Sequence, residues 1–303
     1  MSDKKYCIVG LGELLWDLFP AGKQLGGAPA NFAYCSNLLG DRGFAASRVG
    51  NDELGTKVLA KLSELDLKTS FIQVDDVHPT GTVKVRVDAK GEPAFEIMSP
   101  VAWDFLAWEP SLQSLAKEAD AVCFGSLAQR SQRARETIRA FLAAVRPATV
   151  RIFDVNLRQS FYSEEVLSQS VQLTDILKLN HEELPRVAKI LGLVEGGREE
   201  ACAKQLLDRY ALKLVCVTRG AWGSLLASRN ETDQHPGFHV TVADAVGAGD
   251  AFTAAMVHHF LRGSSLATMN VAANRMGAWV ASHAGATPPG EPDEVVRVRT
   301  PSI

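Results

Sequence analysis

A stretch near the C-terminal end of the chain, residues 244–250 (DAVGAGD), joins small residues to a carboxylate. We expect a strand to end near residue 242 and an apolar-faced helix to begin directly after the loop. Small residues let the backbone approach a ligand, and N–H groups at a helix N-terminus bind anions. The negative charge of Asp250 would compete with a bound anion, so a carboxylate at this place indicates a chemical role, for example taking a proton from an attacking hydroxyl. The alternative is that Asp250 only caps the helix.

Three further polar clusters follow predicted strands. They lie at residues 154–158 (DVNLR), 180–183 (NHEE) and 218–223 (TRGAWG). Ligands of open parallel sheets bind beyond the carboxyl ends of the strands. We therefore expect these clusters to lie along one edge of a sheet, together with the anion site.

Other nucleotide-binding motifs are absent or incomplete in the sequence. No GxxxxGK[ST] pattern occurs, which excludes a P-loop. Gly10 and Gly12 begin a GxGxxG pattern, but Leu15 stands at the third glycine position. A NAD-linked oxidoreductase therefore stays only a remote alternative.

The elements that must position these residues alternate along the chain. Continuous apolar runs predict buried strands, and amphipathic patterns predict the helices between them. The strands are expected at residues 6–10, 121–124, 150–153, 176–179 and 214–218, and helices at 29–39, 53–65, 132–145, 163–173, 182–191 and 248–261. This alternation predicts a doubly wound α/β fold on a mostly parallel sheet, with residues 1–303 forming a single domain.

Two segments interrupt the alternation. Residues 80–100 contain two alternating β patterns around residues 89–92, which predict a hairpin, and residues 13–19 add another strand-like run. We expect a small β-sheet that stands off the body as a lid. An antiparallel edge on the main sheet is the alternative.

Composition excludes several classes of protein. The 303 residues have a formal net charge of −3, which does not favour binding to nucleic acid. No apolar run reaches the length of about 18 residues that a membrane span needs. Five cysteines lie scattered without CxxC spacing, as is typical of free thiols in a reducing compartment, and no signal peptide is recognisable. We expect a cytoplasmic protein.

Taken together, the motifs resemble those of the ribokinase-like carbohydrate kinase family over nearly the whole chain. Residues 26–31 (GGAPAN) are similar to the family's GGxxxN, and residues 49–55 (VGNDELG) to its VGxDxxG. The loop ending at Asp250 is similar to the DxxGAGD motif, although Ala245 replaces the usual Thr. Residues 12–17 (GELLWD) and 154–158 resemble the GExLxD and DxNxR of the fructokinase branch.

The resemblance implies roles around the transferred phosphoryl group. Asp250 would be the base for the sugar hydroxyl, and Arg158 would face the phosphoryl group. The remaining residues implied here are the anion hole of Gly247, Ala248 and Gly249, and the sugar ligands Asp17, Gly27 and Asn31.

It also implies a nucleotide and cation edge. Asn180 and Glu183 match the family's NxxE, which positions Mg²⁺ through water, and Asp244 and Val246 match a monovalent cation site that would take K⁺. The residues implied along the nucleotide are Thr218, Gly220, Gly223 and Asn274.

The function expected from this resemblance is ATP-dependent phosphorylation of a sugar, with fructose as the expected sugar. Ribokinase and 2-keto-3-deoxygluconate kinase are alternatives within the class, and a catalytically inactive sugar-binding regulator is an alternative outside it. The lid, placed at about residues 13–20 and 80–105, would close over the sugar and form a homodimer contact.

Overall fold

The structure is a computed structural model that describes residues 4–19, 22–87, 93–193 and 198–290. The strands in these residues are β1 Cys7–Leu11, β2 Leu15–Phe19, β3 Gly22–Gly26, β4 Arg42–Gly50, β5 Ile72–Asp75, β6 Gly81–Val87, β7 Pro93–Ile97, β8 Ala121–Phe124, β9 Val150–Asp154, β10 Ile176–Asn180, β11 Leu214–Thr218, β12 Ser224–Ala227 and β13 Thr232–His235. The α-helices in the same residues are α1 Ala28–Leu38, α2 Glu53–Glu64, α3 Pro110–Glu118, α4 Gln132–Ala144, α5 Glu164–Gln172, α6 Glu183–Ile190, α7 Glu199–Tyr210, α8 Ala248–Leu261 and α9 Leu266–Ala281.

Nine of these strands form one large sheet, in the spatial order β13-β12-β11-β10-β9-β8-β1-β4-β5. Every neighbouring pair from β11 to β5 is parallel, whereas β12 and β13 extend one edge in antiparallel pairing. The parallel strands are the continuous apolar runs of the sequence, because helices cover both of their faces. The expected doubly wound α/β fold is confirmed.

Two hydrophobic clusters fill the space between this sheet and its helices. Strand β8 contributes to both, since its alternate residues point to opposite faces. Val122 and Phe124 pack with α3 to α7, whereas Ala121 and Cys123 pack with α1, α2, α8 and α9. In the part of the chain that the structure describes, no helix is both long and apolar enough to cross a membrane.

A second, four-stranded sheet has the order β3-β2-β6-β7. Strands β2 and β6 pair in parallel, while β3 and β7 flank them in antiparallel pairing. The small sheet is separate from the main one, as expected, and is not an edge of it. The expected hairpin turn at residues 89–92 lies outside the described residues, as does residue 20. Trp103, within the expected lid segment, packs into the core cluster beside α3 to α7.

The prediction of a strand that ends near residue 242 is wrong. Residues 236–247 form neither helix nor strand in the structure. The N–H groups of Ala243 and Asp244 donate to the carbonyl oxygen of Ala281, at the end of α9, over 2.9 and 3.3 Å. These two N–H groups are therefore bonded to a helix end and not to a strand.

Candidate active site

A cleft of about 720 Å³ is lined by the small sheet and by loops at the carboxyl edge of the main sheet. The structure brings together there most of the residues that the sequence singled out, from segments far apart along the chain. Those that line it are Asp17, Gly27, Asn31, Arg158, Asp244, Val246, Gly247, Gly249 and Asp250.

Asp250 lies in the first turn of α8 and keeps part of its surface exposed to this cleft. Its Oδ2 atom accepts a hydrogen bond from Nδ2 of Asn31 at 2.8 Å. Withdrawal from bulk water, followed by the negative charge of Asp154, raises the pKa of Asp250 from 3.8 to about 7. A general base is most effective when its pKa lies near the operating pH. The carboxylate is therefore suited to exchange a proton near neutrality.

The loop before α8 presents backbone to the cleft. Gly247 is the N-cap of α8 and has a left-handed φ of 80°, and no described side chain caps the helix through a hydrogen bond. A Cβ atom on Gly247 would lie 2.5 Å from that of Ala286. Gly247 and Gly249 both line the cleft, so an anion at this point would meet the first-turn N–H groups of α8.

Asp17 lies in the middle of β2 on the lid side of the cleft. Withdrawal from water raises the pKa of its carboxyl to about 6, while the charge of Arg158 opposes that rise. A Cβ atom on Gly26, in the paired strand β3, would collide with Oδ2 of Asp17. The glycine therefore makes the room that this carboxylate occupies.

The start of α1 forms another part of the lining. Gly27 precedes the helix with a φ of 118°, and a Cβ atom there would lie 2.6 Å from the carbonyl oxygen of Glu13. Asn31 follows one turn later, is 3% exposed, and donates to Asp250. The GGxxxN spacing thus brings a close backbone approach and an amide side chain to one place.

Arg158 lies on the loop after β9 and is exposed. Its Nη1 atom donates to the carbonyl oxygen of Leu157 at 3.3 Å, and its charge reaches both Asp17 and Asp250. The guanidinium is the cationic group of this loop on the cleft.

Asn180 and Glu183 hold backbone at the end of β10. The two carboxylate oxygens of Glu183 accept from the N–H groups of Leu157 and Asn180, each at 2.8 Å. Oδ1 of Asn180 accepts from the N–H groups of Glu182 and Glu183 at 2.9 and 2.8 Å. Both residues therefore fix the loop that carries Arg158 and the start of α6, and neither lines the cleft.

The residues expected along the nucleotide lie outside the cleft lining. Thr218 ends β11 beside Asn180, and Gly220 follows it on an exposed turn. Gly223 is buried, and a Cβ atom there would collide with the backbone of His235. These three residues share the edge of the sheet next to the cleft but do not enter it.

Asn274, the fourth of these residues, is buried on α9 behind that edge. Its Nδ2 atom donates to Oγ of Ser224 at 2.7 Å and to the carbonyl oxygen of Asn270 at 2.8 Å. The amide therefore ties α9 to β12.

Asp244 and Val246 lie on the loop before α8. Oδ1 of Asp244 accepts from the N–H of Val246 at 3.0 Å, and Oδ2 accepts from the N–H of Gly285 at 3.2 Å. The carboxylate of Asp244 thus links the backbone of Val246 to that of Gly285.

Two charged cleft residues were missed from the sequence. Lys178 stands inside the apolar run of β10, and Glu13 follows β1. Oε2 of Glu13 is buried without a hydrogen-bond partner in the structure, and burial raises the pKa of that carboxyl. A lysine within an apolar strand and a glutamate at a strand end were the signals that could have revealed them.

Comparison with known proteins shows which family the chain belongs to. An uncharacterized sugar kinase of Pyrococcus horikoshii is 30% identical over 96% of this chain and 95% of its own length. A fructokinase of Salmonella typhimurium is 32% identical over 82% of each chain. A double mutant of a Vibrio cholerae fructokinase, solved with fructose, ADP and potassium, superposes with a TM-score of 0.81 at 28% identity, covering 98% of this chain and 99% of that one. The family profile of pfkB family carbohydrate kinases matches residues 18–294. The chain therefore belongs to the pfkB family and is a sugar kinase.

Proposed function

We propose that the protein transfers the γ-phosphoryl group of ATP to a hydroxyl of D-fructose. The observation that carries the proposal is Asp250, whose carboxyl has a pKa near neutrality in a cleft beside the unblocked N-terminus of α8. Fructose as the sugar is supported by the fructokinases of Salmonella typhimurium and Vibrio cholerae among the relatives.

In the proposed reaction Asp250 takes the proton of the attacking sugar hydroxyl. Asn31 fixes one of its oxygens, so the carboxylate has a defined orientation before the sugar arrives. Phosphoryl transfer requires little covalent chemistry from the protein, and catalysis rests on alignment and charge stabilisation. The N–H groups of Gly247, Ala248 and Gly249 form the proposed anion hole, and Arg158 adds positive charge at the transferring group.

The proposed sugar contacts come from the lid and α1. Asp17 accepts hydrogen bonds from two sugar hydroxyls, and Asn31 and the backbone of Gly27 hold the opposite side. Support comes from their shared position on the cleft wall with Asp250. Closure of the small sheet would exclude water from the reacting atoms, and we also propose that this sheet forms a homodimer contact.

ATP is proposed to lie along the loops after β10 and β11, against Thr218 and Gly220. Gly223 and Asn274 would act there by shaping the loop and α9, because their atoms are already packed or hydrogen-bonded.

The two proposed cation sites fit the residues to different degrees. Both oxygens of Glu183 are already bonded to backbone N–H groups, so this residue and Asn180 fit a position behind the waters of Mg²⁺. Bound Mg²⁺ would neutralise charge on the phosphates. Asp244 and Val246 fit a K⁺ site, supported by the potassium in the Vibrio cholerae structure.

Release of ADP with a panel of sugars tests the proposed function. With fructose, ribose and 2-keto-3-deoxygluconate at equal concentration, we expect the highest kcat/KM for fructose. A higher value for either of the others would overturn the fructose assignment, and no ADP release with any sugar would argue for a binding protein.

A further inference from the structure

A buried ion pair lies directly behind the proposed base. Nζ of Lys178 is 3.0 and 2.9 Å from the two carboxylate oxygens of Asp154, and the two side chains are 9% and 5% exposed. The residues are neighbours across the parallel strands β9 and β10. Replacing a buried ion pair by apolar residues is often neutral or stabilising, so the fold alone does not account for this pair.

The pair reaches the first turn of α8. Oδ2 of Asp154 lies 3.3 Å from Oγ1 of Thr253, which in turn donates to the carbonyl oxygen of Gly249 at 2.8 Å. A Cβ atom on Gly249 would lie 3.2 Å from Nζ of Lys178. Lys178 also lines the cleft. The ammonium therefore sits against the residue that precedes Asp250.

Several other elements surround Asp250. After withdrawal from water, Asp154 makes the largest contribution and raises its pKa, whereas the hydrogen bond of Asn31 and the charges of Lys178 and Arg158 lower it. The groups that face it are Asn31 and the thiol of Cys35 on α1, the thiol of Cys123 on β8, Asp154 on β9, Arg158 on the following loop and Lys178 on β10. Burial raises the pKa of both thiols, so they stay neutral near pH 7. The charges that act on Asp250 are thus those of Asp154, Lys178 and Arg158.

We propose that Asp154 and Lys178 are positioning residues for Asp250, a charge pair that holds the first turn of α8 and sets the pH at which Asp250 gives up its proton. This rests on the proposed function of Asp250 as the base. Arg158 is exposed on a loop, whereas the pair is buried on two neighbouring strands of the sheet. The sheet therefore supplies the fixed part of the electrostatic environment.

Two substitutions, introduced one after the other, separate the effects of the two charges on Asp250. Asp154→Asn removes only the negative charge. In the pH profile of kcat/KM for the preferred sugar, the acid limb, which reports ionisation of Asp250, should therefore move to lower pH by about one unit. Adding Lys178→Gln to that variant removes only the positive charge and should move the limb back up by a similar amount. A reading of kcat alone would not distinguish this role from a structural one.

The matched control is Asp41→Asn, which breaks another buried carboxylate pair. Nη2 of Arg262 donates to Oδ1 of Asp41 at 2.8 Å. Asp41 directly precedes β4, so it lies at the amino end of the parallel strands, opposite the carboxyl edge that lines the cleft. This variant should lose stability and keep the acid limb of the wild type. The proposal would be overturned if the acid limb of Asp154→Asn stayed at the wild-type position and did not move when Lys178→Gln was added. Movement of the same size in the Asp41 control would also overturn it.

A measurement on the folded wild type keeps the proposal open to refutation if the Asp154 variants do not fold. The melting-temperature difference between wild type and Asp250→Asn should change with pH from the unfolded pKa of an aspartate up to the folded value of about 7 and level off above it. A difference that does not change with pH would mean that nothing in the site shifts the pKa of Asp250. Failure of the proposed function would be seen differently, as an Asp250→Asn enzyme with wild-type turnover, whatever the pH dependence of melting.

Discussion

At the scale of single residues, the two carboxylates of the cleft are held in different ways. Asp250 is tied to Asn31 and lies against a buried charge pair, whereas Asp17 projects from a lid strand with Arg158 as its main charged neighbour. A fixed carboxylate suits proton transfer, and a carboxylate on the separate small sheet suits recognition of the sugar. The two should therefore fail differently when they are replaced.

Asp17→Ala should lower kcat/KM for the sugar about ten- to a hundredfold. Hydrogen bonds to a charged group contribute roughly 1.5–3 kcal/mol, and about 1.4 kcal/mol corresponds to a factor of ten. Affinity for ATP without sugar should stay within about twofold, measured by calorimetry beside the steady-state kinetics. Asp208→Ala, on the exposed side of α7, is the matched control. Weaker ATP binding with unchanged sugar kinetics would place Asp17 in the wrong pocket.

At the scale of elements, the lid depends on a strand that the sequence conceals. β3 (GKQLG) has glycines at both ends and no apolar alternation, so its extended form comes from pairing with β2. By contrast, β8, β11 and α8 have the bounds expected from the sequence, because apolar runs or a glycine loop delimit them. Tertiary pairing is not visible in local pattern.

The residues of the candidate site also differ in whether the local sequence pattern reveals them. Asp250 and its glycine loop were predictable because their residue types are unusual together. Lys178 was not, because a single lysine in an apolar strand gives no indication of its partner until β9 and β10 are aligned. The same holds for the strand expected near residue 242, where only the fold shows that Ala281 takes the backbone N–H groups.

Gly26→Ala should raise KM for the sugar with little change in ATP affinity. Its Cβ would collide with the carboxylate of Asp17 and lie 2.9 Å from Cδ1 of Leu15, so the carboxylate must move. Gly22→Ala, in the same strand, is the control for loss of a glycine without a collision, since its Cβ would meet no atom within 4 Å and only its φ of 150° disfavours a side chain. Steady-state kinetics of both variants decide the point. Equal effects at the two positions would mean that β3 tolerates loss of glycine poorly, independently of any contact with Asp17.

At the scale of the whole molecule, the stability of the unliganded protein should respond to pH in two opposite ways. Burial alone would raise the pKa of Asp75, but hydrogen bonds from the N–H groups of Val77 and His78 and further contacts outweigh it and lower that pKa to about 2. That carboxylate stabilises the fold above its unfolded pKa, and the contribution is lost as the pH falls through the folded value. Glu13, Asp17 and Asp250 have raised pKa values and act in the opposite sense.

For these three groups the favourable contribution is fully present below the unfolded pKa and is lost as the pH rises through the folded value, about 6 for Asp17 and about 7 for Asp250. Glu13→Gln and Asp250→Asn should therefore melt at higher temperature than the wild type at pH 8, with a smaller difference at pH 5. Thermal unfolding across that range measures it, with Glu118→Gln as the exposed control. A loss of stability at pH 8 would show that these carboxylates are satisfied in the unliganded fold.

Asp250 as the base is the central claim, and transfer of the γ-phosphoryl group to sugar by Asp250→Asn tests it most directly. The substitution keeps the size of the side chain and removes the proton acceptor. Single-turnover transfer from radiolabelled ATP to fructose should slow by about 10²–10⁴, the usual contribution of a positioned base, while ATP affinity and melting remain those of a folded enzyme. Transfer at the wild-type rate by a folded Asp250→Asn protein would contradict the claim.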